Sequence, residues 1–425
     1  MEVTSPNTNF LKKINPVKVI LMSFLIWFIL FITSPLEIKI DIDYSGYILI
    51  FISIIAFILG FKLKRVKNKT GIRVINSKKA KQMFNLILFL AVIGFMFKVF
   101  DRFFIRGISL GSNFFENRES METGGGNIVG IITAFLIPFS YIPLFLYWSF
   151  KIKLNRVIVL LTYFVFFFQI FDALLLGSRS VIFILGMMLF LYLNYFKKFQ
   201  FTFFKVIQLL LVALLFSLLM TYMFIERTKI FAGDSAYQVA MNTSNFNYTL
   251  SSNDKFKSSF ANKSEVNKLL SFTYISTVQY FTHGMFEYVY LFKNFKGDYS
   301  LGSSNFIVYK RFVDKVFGIK TDTKRIMNLA PRTGVYKTLF GPLYIDFGWF
   351  TIVFMFFFGR FTCSVYNKAL AGSDWALLSY FYLFIVLLFS PVFNFISGAG
   401  GLFLFTCFMS FRLLNNKIIM YEKIY

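Results

Sequence analysis

The sequence is poor in charged residues. Only 15% of its 425 residues are charged, whereas 57% are hydrophobic and the mean hydropathy is +0.65. Soluble domains carry roughly 25% charged residues. Soluble dehydrogenases, kinases, hydrolases and nucleic-acid-binding domains are therefore poor candidates, and we expect an all-α protein of the membrane.

Histidine and cysteine are also scarce. The chain has one histidine, His283, and two cysteines, Cys363 and Cys407, which fall within or near predicted membrane spans. A disulfide framework on the outer side and a His-rich metal site are therefore not expected. We predict a chemistry that uses no metal and no cofactor.

Long apolar runs, by contrast, are frequent. A helix needs about 20 mostly apolar residues to cross the hydrocarbon of a bilayer. The prediction is a polytopic protein with seven spans in residues 1–225, a large loop at 226–340, and three spans with a tail in 341–425. These ten runs lie near 17–36, 45–63, 84–100, 127–149, 157–176, 180–196, 206–225, 341–361, 375–394 and 398–414.

The distribution of Lys and Arg predicts the orientation, because cytoplasmic loops collect these residues. The stretch from Lys62 to Lys81 carries nine basic residues and no acidic one. This asymmetry places both termini in the cytoplasm and the 226–340 loop outside, in a bacterial inner (plasma) membrane. Basic loops are attracted to anionic lipid headgroups, so the net charge of +25 requires no nucleic acid partner.

One apolar segment, 269–292, carries a polar stripe at helical spacing that includes His283 and Glu287. We predict an interfacial or re-entrant helix here rather than an eleventh crossing. Histidine has an ordinary pKa near neutrality, and Glu287 lies one helical turn after His283. A hydrogen bond from the imidazole to Glu287 would orient His283 and raise its basicity, so we predict these two as the catalytic residues. The alternative is an interfacial histidine that only caps the polar side of the helix.

Two arginines are candidates for binding a diphosphate. Arg179 follows Gly177-Ser178 between the fifth and sixth predicted spans, and Arg227 lies at the outer end of the seventh. A guanidinium binds phosphate oxygens bidentately. The alternative is that both arginines extend to lipid phosphates as generic anchors.

A further cluster runs from the long loop into the eighth predicted span and contains Arg332, Lys337, Tyr344 and Asp346. We predict weaker substrate contacts for these four residues. Asp346 falls inside the span, so it should have a partner, either a basic residue of the loop or a sugar hydroxyl.

At these residues the sequence resembles the bacterial O-antigen polymerases (Wzy), the polytopic glycosyltransferases of the GT-C type that join oligosaccharide repeat units. The resemblance lies in the layout of spans, in the late outer loop, in the Gly-Ser-Arg at an outer span junction, and in Gly341-Pro-Leu-Tyr-Ile-Asp-Phe-Gly348 at the start of the eighth span.

The resemblance implies a substrate. A growing polysaccharide on undecaprenyl diphosphate would be transferred to a new lipid-linked repeat unit at the outer face of the membrane. In the related O-antigen ligases, outer arginines hold the diphosphate and a histidine activates the acceptor, in the same order as Arg179, Arg227 and His283 here. A chain-length regulator and a flippase of the same pathway are the expected partners beside the lipid bilayer. An O-antigen ligase, or a transporter or flippase of lipid-linked sugars, remains an alternative.

Overall fold

The computed structural model describes residues 7–63, 72–75, 77–109, 111, 117, 120–121, 127–176, 179–197, 203–318, 323–397, 399–415 and 419–422. Within these ranges the chain is mostly helical with very little sheet, as expected for an all-α protein. The helices are α1 Thr8–Lys13, α2 Pro16–Ile32, α3 Tyr44–Leu63, α4 Ser77–Phe100, α5 Ile128–Leu136, α6 Ile142–Phe150, α7 Arg156–Leu175, α8 Arg179–Tyr195, α9 Phe203–Ala232, α10 Ala236–Asn242, α11 Asp254–Ala261, α12 Glu265–Asn294, α13 Ile307–Phe317, α14 Thr323–Asn328, α15 Phe340–Phe347, α16 Thr351–Leu370, α17 Asp374–Leu388 and α18 Ala399–Asn415.

Several helices begin at an asparagine whose side chain accepts a hydrogen bond from the first turn, which satisfies a backbone N–H that has no helical partner. Asn15 accepts from the backbone N–H of Val17 at 3.0 Å, directly before the proline that starts α2. Asn253 accepts from the backbone N–H of Phe256 at 2.8 Å at the start of α11. These caps fix where the apolar runs become helices.

Five helices in the described part of the chain are long and apolar enough to cross a membrane: Tyr44–Leu63, Ser77–Ile105, Ile128–Phe150, Arg156–Leu175 and Phe340–Leu370. Each coincides with one of the ten predicted spans. Four other predicted spans coincide with shorter apolar helices, Pro16–Ile32, Val181–Tyr195, Asp374–Leu388 and Gly400–Leu414. The remaining predicted span, 206–225, lies within α9. Helix α12, which contains the apolar segment 269–292, is not one of the five helices long and apolar enough to cross.

The tightest helix crossing joins α3 to α16 through two glycines. A Cβ added at Gly60 would lie 1.9 Å from the carbonyl oxygen of Phe356, and one added at Gly359 would lie 2.1 Å from that of Phe57. Small residues allow such close approach of helices in an apolar medium, where packing replaces the hydrophobic effect. Beside this pair, α17 is buried along almost its whole length and forms the centre of the bundle.

Two short antiparallel sheets connect distant segments. Strand β1 (Leu36–Ile38), between α2 and α3, pairs with β3 (Leu250–Ser252) in the long loop. Strand β2 (Ile72–Ile75), before α4, pairs with β4 (Ile419–Glu422) near the end of the chain. The first sheet joins two segments that the charge distribution predicts to be outside, and the second joins two that it predicts to be inside.

Helix α12 contacts the segment that connects α2 to α3 at two points. In the first half of α12 the Tyr274 hydroxyl donates to the carbonyl of Thr33 at 3.2 Å, and at its end Lys293 pairs with Asp41 at 3.4 Å. Between these points, the indole N–H of Trp27 in α2 donates to the carbonyl of Thr282 at 3.2 Å. The interfacial or re-entrant position of α12 in the membrane stays a prediction.

Candidate functional site

The polar stripe of α12 is buried against residues 244–252 of the long loop. Gln279, His283 and Glu287 lie four residues apart on one face of the helix, and all three are buried. Gln279 donates to the carbonyl of Leu250 at 2.6 Å, and the ring of Phe246 stacks on His283 with centroids 3.7 Å apart. The spacing that predicts a single polar face is therefore confirmed.

His283 is enclosed completely, with no exposed surface. Its Nδ1 lies 2.9 Å from the carbonyl oxygen of Gln279, which can only accept, so Nδ1 carries the proton and Nε2 holds the lone pair. Nε2 is buried and has no hydrogen-bond partner among the described residues. Burial lowers the pKa of His283 to about 4. The imidazole is thus neutral at physiological pH and presents an unused acceptor.

The predicted hydrogen bond between His283 and Glu287 is not formed, which corrects the sequence-based expectation. The carboxylate of Glu287 accepts instead from the hydroxyl of Thr249 at 2.8 Å and from Nε of Arg332 at 3.0 Å. The spacing of four residues does place His283 and Glu287 on one face of the helix. The Glu287 carboxylate nevertheless points to Arg332, because a charge-assisted hydrogen bond to a guanidinium is stronger than one to a neutral imidazole. Burial raises the pKa of Glu287, and the contacts with Thr249 and Arg332 oppose that rise.

Arg332 and Lys337 lie on the irregular segment 329–339 between α14 and α15, which we call the strap. The Arg332 guanidinium stacks over the ring of Tyr248 at 4.1 Å and donates to the carbonyl of Asn245 at 2.5 Å. Burial lowers the pKa of Lys337, while attraction to Glu287 opposes this shift. Arg332 is paired with the Glu287 carboxylate, and Lys337 lies near enough for its charge to interact with the same carboxylate. Two basic side chains beside one acidic side chain suit an anionic ligand.

Aromatic rings enclose the imidazole on the side of the strap. The Tyr336 ring lies 5.8 Å from His283, and its hydroxyl is 3.3 Å from that of Tyr280. Phe393 packs on Tyr336 with centroids 5.2 Å apart. The chain reaches this position because Gly284 is small: a Cβ there would lie 2.4 Å from the carbonyl oxygen of Val392. Rings of this kind offer apolar faces beside the charged groups.

Asp346 is buried, as predicted, but its partners are not those expected. Its carboxylate accepts from the Ser300 hydroxyl, from the backbone N–H groups of Ser304 at 2.7 Å and Asn305 at 3.0 Å, and from the Asn305 side chain at 2.5 Å. These four bonds occupy the acceptor positions of a carboxylate. Asp346 therefore fixes the loop at 300–305 and leaves no acceptor for a sugar hydroxyl.

Tyr344 is buried in an aromatic cluster. Its ring lies 4.8 Å from that of Phe292 and 5.7 Å from that of Phe295. The two other predicted site residues are placed only by their helices. Arg179 begins α8 and Arg227 lies in α9, and the side chains of both fall outside the described part of the structure.

A buried charge cluster that the sequence analysis did not identify lies where α4 meets α7. It contains Lys98, Asp101, Arg102, Arg106 and Asp172. Asp172 accepts from Nζ of Lys98 and from Nε of Arg102, both at 2.9 Å. Asp101 accepts from Nε of Arg106 at 2.9 Å. The positions 98, 102 and 106 are one helical turn apart, so the sequence did contain the signal.

The charge cluster coincides with a turn of π-helix at Asp101–Ile105, which continues α4. π-helical turns occur frequently at functional sites, and ionisable groups within spans are costly and often functional. The side chain of Asn127 joins α5 to the cluster by donating to Asp101 at 2.8 Å. Each carboxylate has cationic partners, so the observed cluster clamps the ends of α4, α5 and α7 together.

No three His, Cys, Asp or Glu side chains in the described ranges are grouped so that they could hold a metal ion. Cys363 and Cys407 are free and buried. The sequence also contains an Asp-x-Asp pair, Asp41 and Asp43, before α3. A pair of this kind can bind a divalent ion, and the prediction of metal-free chemistry does not take it into account. Asp41 pairs with Lys293, and Asp43 accepts from the backbone N–H of Ser45 at 2.9 Å. Metal independence stays a prediction.

Comparison with models of known protein families, with curated proteins and with solved structures finds no match. The hypothesis that the chain belongs to the O-antigen polymerase family therefore has only the resemblance in layout and motifs as its support.

Proposed function

We propose that the protein is a membrane glycosyltransferase of the O-antigen polymerase kind, which joins oligosaccharide repeat units carried on undecaprenyl diphosphate. The observation that carries the proposal is the site formed by α12 and the strap. There, two cations, a neutral imidazole with an unused acceptor and several aromatic rings lie together. This set of groups matches a substrate with an anionic diphosphate, a nucleophilic hydroxyl and sugar rings.

In the proposed reaction, the hydroxyl of the new lipid-linked unit attacks the anomeric carbon of the growing chain. The new bond from oxygen to the anomeric carbon forms while the bond to the diphosphate oxygen breaks, and the lipid diphosphate leaves with the electron pair. Nε2 of His283 takes the hydroxyl proton, which accelerates the reaction about 10²–10⁴-fold. Arg332 and Lys337, together with the predicted Arg179 and Arg227, neutralise the departing charge.

The strap must move before His283 can act, because the imidazole has no exposed surface. A diphosphate competes with the Glu287 carboxylate for Arg332, so substrate binding would itself release the strap. Access of water and substrate would then reverse the burial that lowers the pKa of His283 to about 4. A pKa closer to the ordinary value of about 6.5 makes the imidazole a better base at neutral pH.

The proposal includes ten membrane crossings, an inner-membrane location with both termini in the cytoplasm, and a site on the outer side. The sheet between β1 and β3 and the ion pair between Lys293 and Asp41 support a common side for the predicted outer segments. A chain-length regulator and a flippase remain the proposed partners, beside the bilayer and the lipid-linked sugar.

A transporter or flippase of lipid-linked sugars is the second candidate, and one observation favours it. The charge cluster around Asp101 and Asp172 lies inside helices that are long enough to span, and transporters use buried charges of this kind along their substrate pathways. An O-antigen ligase would use the same chemistry as a polymerase with a different acceptor.

The test is reconstitution of the purified chain in liposomes that contain one lipid-linked repeat unit and no nucleotide sugar. A polymerase forms longer glycans, and Arg332→Gln should reduce this, while Arg156→Gln, a control at an exposed arginine at the start of α7, should not. Translocation without elongation would identify a transporter. In a deletion strain, lipopolysaccharide with a single repeat unit indicates a polymerase, whereas a bare core indicates a ligase.

A further inference from the structure

A cavity of about 170 Å³ lies in the long loop, between α13, α14 and the turn that follows α12. Sites for drug-sized molecules measure roughly 300–1,000 Å³, so this cavity suits one sugar residue or a small acid. Its polar lining includes Asp298, Ser300, Ser303, Lys310 and Arg325. These five residues lie outside the site formed by α12 and the strap, and Leu329 at the start of the strap also lines the cavity.

The turn at 300–301 beside the cavity is fixed to the end of α15. The backbone N–H groups of Ser300 and Leu301 donate to the carbonyls of Ile345 and Asp346 at 3.0 and 3.1 Å. The buried Asp346 carboxylate holds the same turn from the other side through Ser304 and Asn305. A polar cavity beside a turn held by this many hydrogen bonds is preorganised, which reduces the entropy lost on binding.

The charged side chains that line the cavity favour an anionic ligand. Arg325 and Asp298 form a bidentate pair, with Nη2 and Oδ1 2.6 Å apart and Nε and Oδ2 3.0 Å apart. Both side chains are substantially exposed, and such a pair contributes little to stability. The side-chain ammonium of Lys310 makes no hydrogen bond or ion pair with the residues that the structure describes. The net charge of these three residues is therefore positive.

Tyr299 supplies an apolar surface at the same cavity. The residue is 42% exposed, and its ring packs against that of Phe295, with centroids 5.5 Å apart. An aromatic face beside hydroxyls, a carboxylate and a guanidinium is suited to a pyranose ring, whose C–H groups pack on the ring while its hydroxyls form hydrogen bonds.

We propose that this cavity is a subsite for a sugar residue that carries a carboxylate, with Lys310 binding the carboxylate and Tyr299 packing on the ring. The sugar class rests on the proposed function. The subsite would hold an acidic residue of the repeat unit and so favour acidic glycans over neutral ones.

The test measures binding of D-glucuronate, D-glucose and acetate to the purified full-length protein in detergent micelles, by saturation-transfer NMR and equilibrium titration. Glucuronate should bind more tightly than the other two. Lys310→Gln should weaken glucuronate binding about tenfold, because a charge-assisted hydrogen bond is lost, and Lys310→Arg should restore it. The control is Lys296→Gln, an exposed lysine of the same loop outside the cavity, which should bind as the native protein does.

Equal binding of glucuronate and glucose by the native protein, or no binding, overturns the subsite without reference to any variant. Competition by acetate with equal affinity overturns the part of the proposal that concerns the sugar. If the reconstituted protein elongates lipid-linked sugars but does not discriminate glucuronate, the subsite fails and the proposed function stands. Discrimination of glucuronate without elongation supports the subsite and removes the proposed function.

Discussion

The ion pair between Glu287 and Arg332 should hold the strap over His283, and Glu287→Gln tests this. The substitution keeps the shape of the side chain and the hydrogen bond from Thr249 but removes the negative charge that pairs with Arg332. Removal of one partner from a buried ion pair costs about 3–5 kcal/mol. Arg332 is 18% exposed and keeps its contacts with Asn245 and Tyr248, so we expect a smaller cost of about 2 kcal/mol, the value typical of a hydrogen bond to a charged group.

This loss should appear in the local opening of the strap rather than in the bundle. A change of about 2 kcal/mol corresponds to a roughly 30-fold increase in the open population. Amide hydrogen exchange of residues 330–338 measures that population directly. Exchange in α17, the buried centre of the bundle, should remain unchanged.

Glu265→Gln provides the matched control on the same helix. Glu265 is 66% exposed at the start of α12 and pairs with Lys268 at 3.2 Å, so its loss should change exchange by less than about threefold. Equal strap exchange in the Glu287 and Glu265 variants would show that the ion pair does not restrain the strap, and release of the strap by a diphosphate would then lose its basis.

Three further predictions concern the bundle and the site. Gly359→Ala should destabilise the protein by at least about 1–3 kcal/mol, because its Cβ would overlap the carbonyl of Phe57, and thermal unfolding in detergent measures the loss. Asp172→Asn should cost about 3–5 kcal/mol, because it leaves the buried cation of Lys98 without a carboxylate. His283 has a pKa of about 4 in the folded protein and about 6.5 in the unfolded chain, so between pH 6.5 and 4 only the unfolded state binds a proton there. Native stability should therefore fall by about 3 kcal/mol across that window relative to His283→Gln.

The controls for these variants are positions of the same residue type with few contacts. Gly186→Ala, in a helix where a Cβ meets nothing within 4 Å, should be neutral or slightly stabilising. Asp41→Asn removes an exposed partner of Lys293 and should change stability by less than about 1 kcal/mol. If native protein and His283→Gln lose stability in parallel between pH 6.5 and 4, the imidazole is not held neutral by burial.

The helical fold and the polar face of α12 could be predicted from the sequence because both depend on local periodicity. Apolar runs of span length and a repeat of four residues from Gln279 to Glu287 are visible without a structure. The partner of Glu287 could not be predicted in the same way. Arg332 lies 45 residues further along the chain, and only the tertiary fold brings the strap to α12.

For the buried acidic residues too, burial could be predicted from the sequence but the partners could not. Burial of Asp346 follows from its place in an apolar run, yet its partners come from an uncharged turn at 300–305 that carries no evident signal. In the charge cluster, the spacing of Lys98, Arg102 and Arg106 could have been recognised as one helical face. Asp172, which pairs with Lys98 and Arg102, lies on another helix, so the cluster is evident only when α4 and α7 are packed.

The side of the membrane on which α12 and the strap lie decides whether they can meet an exported lipid-linked sugar. Cys363 and Cys407 are buried, so a single cysteine introduced at the exposed position Ser258 in α11 or Ser77 at the start of α4 gives a readable signal. We predict that a membrane-impermeant maleimide labels Ser258→Cys in spheroplasts and Ser77→Cys only in inverted vesicles. The reverse pattern would place the site in the cytoplasm and contradict the proposed function.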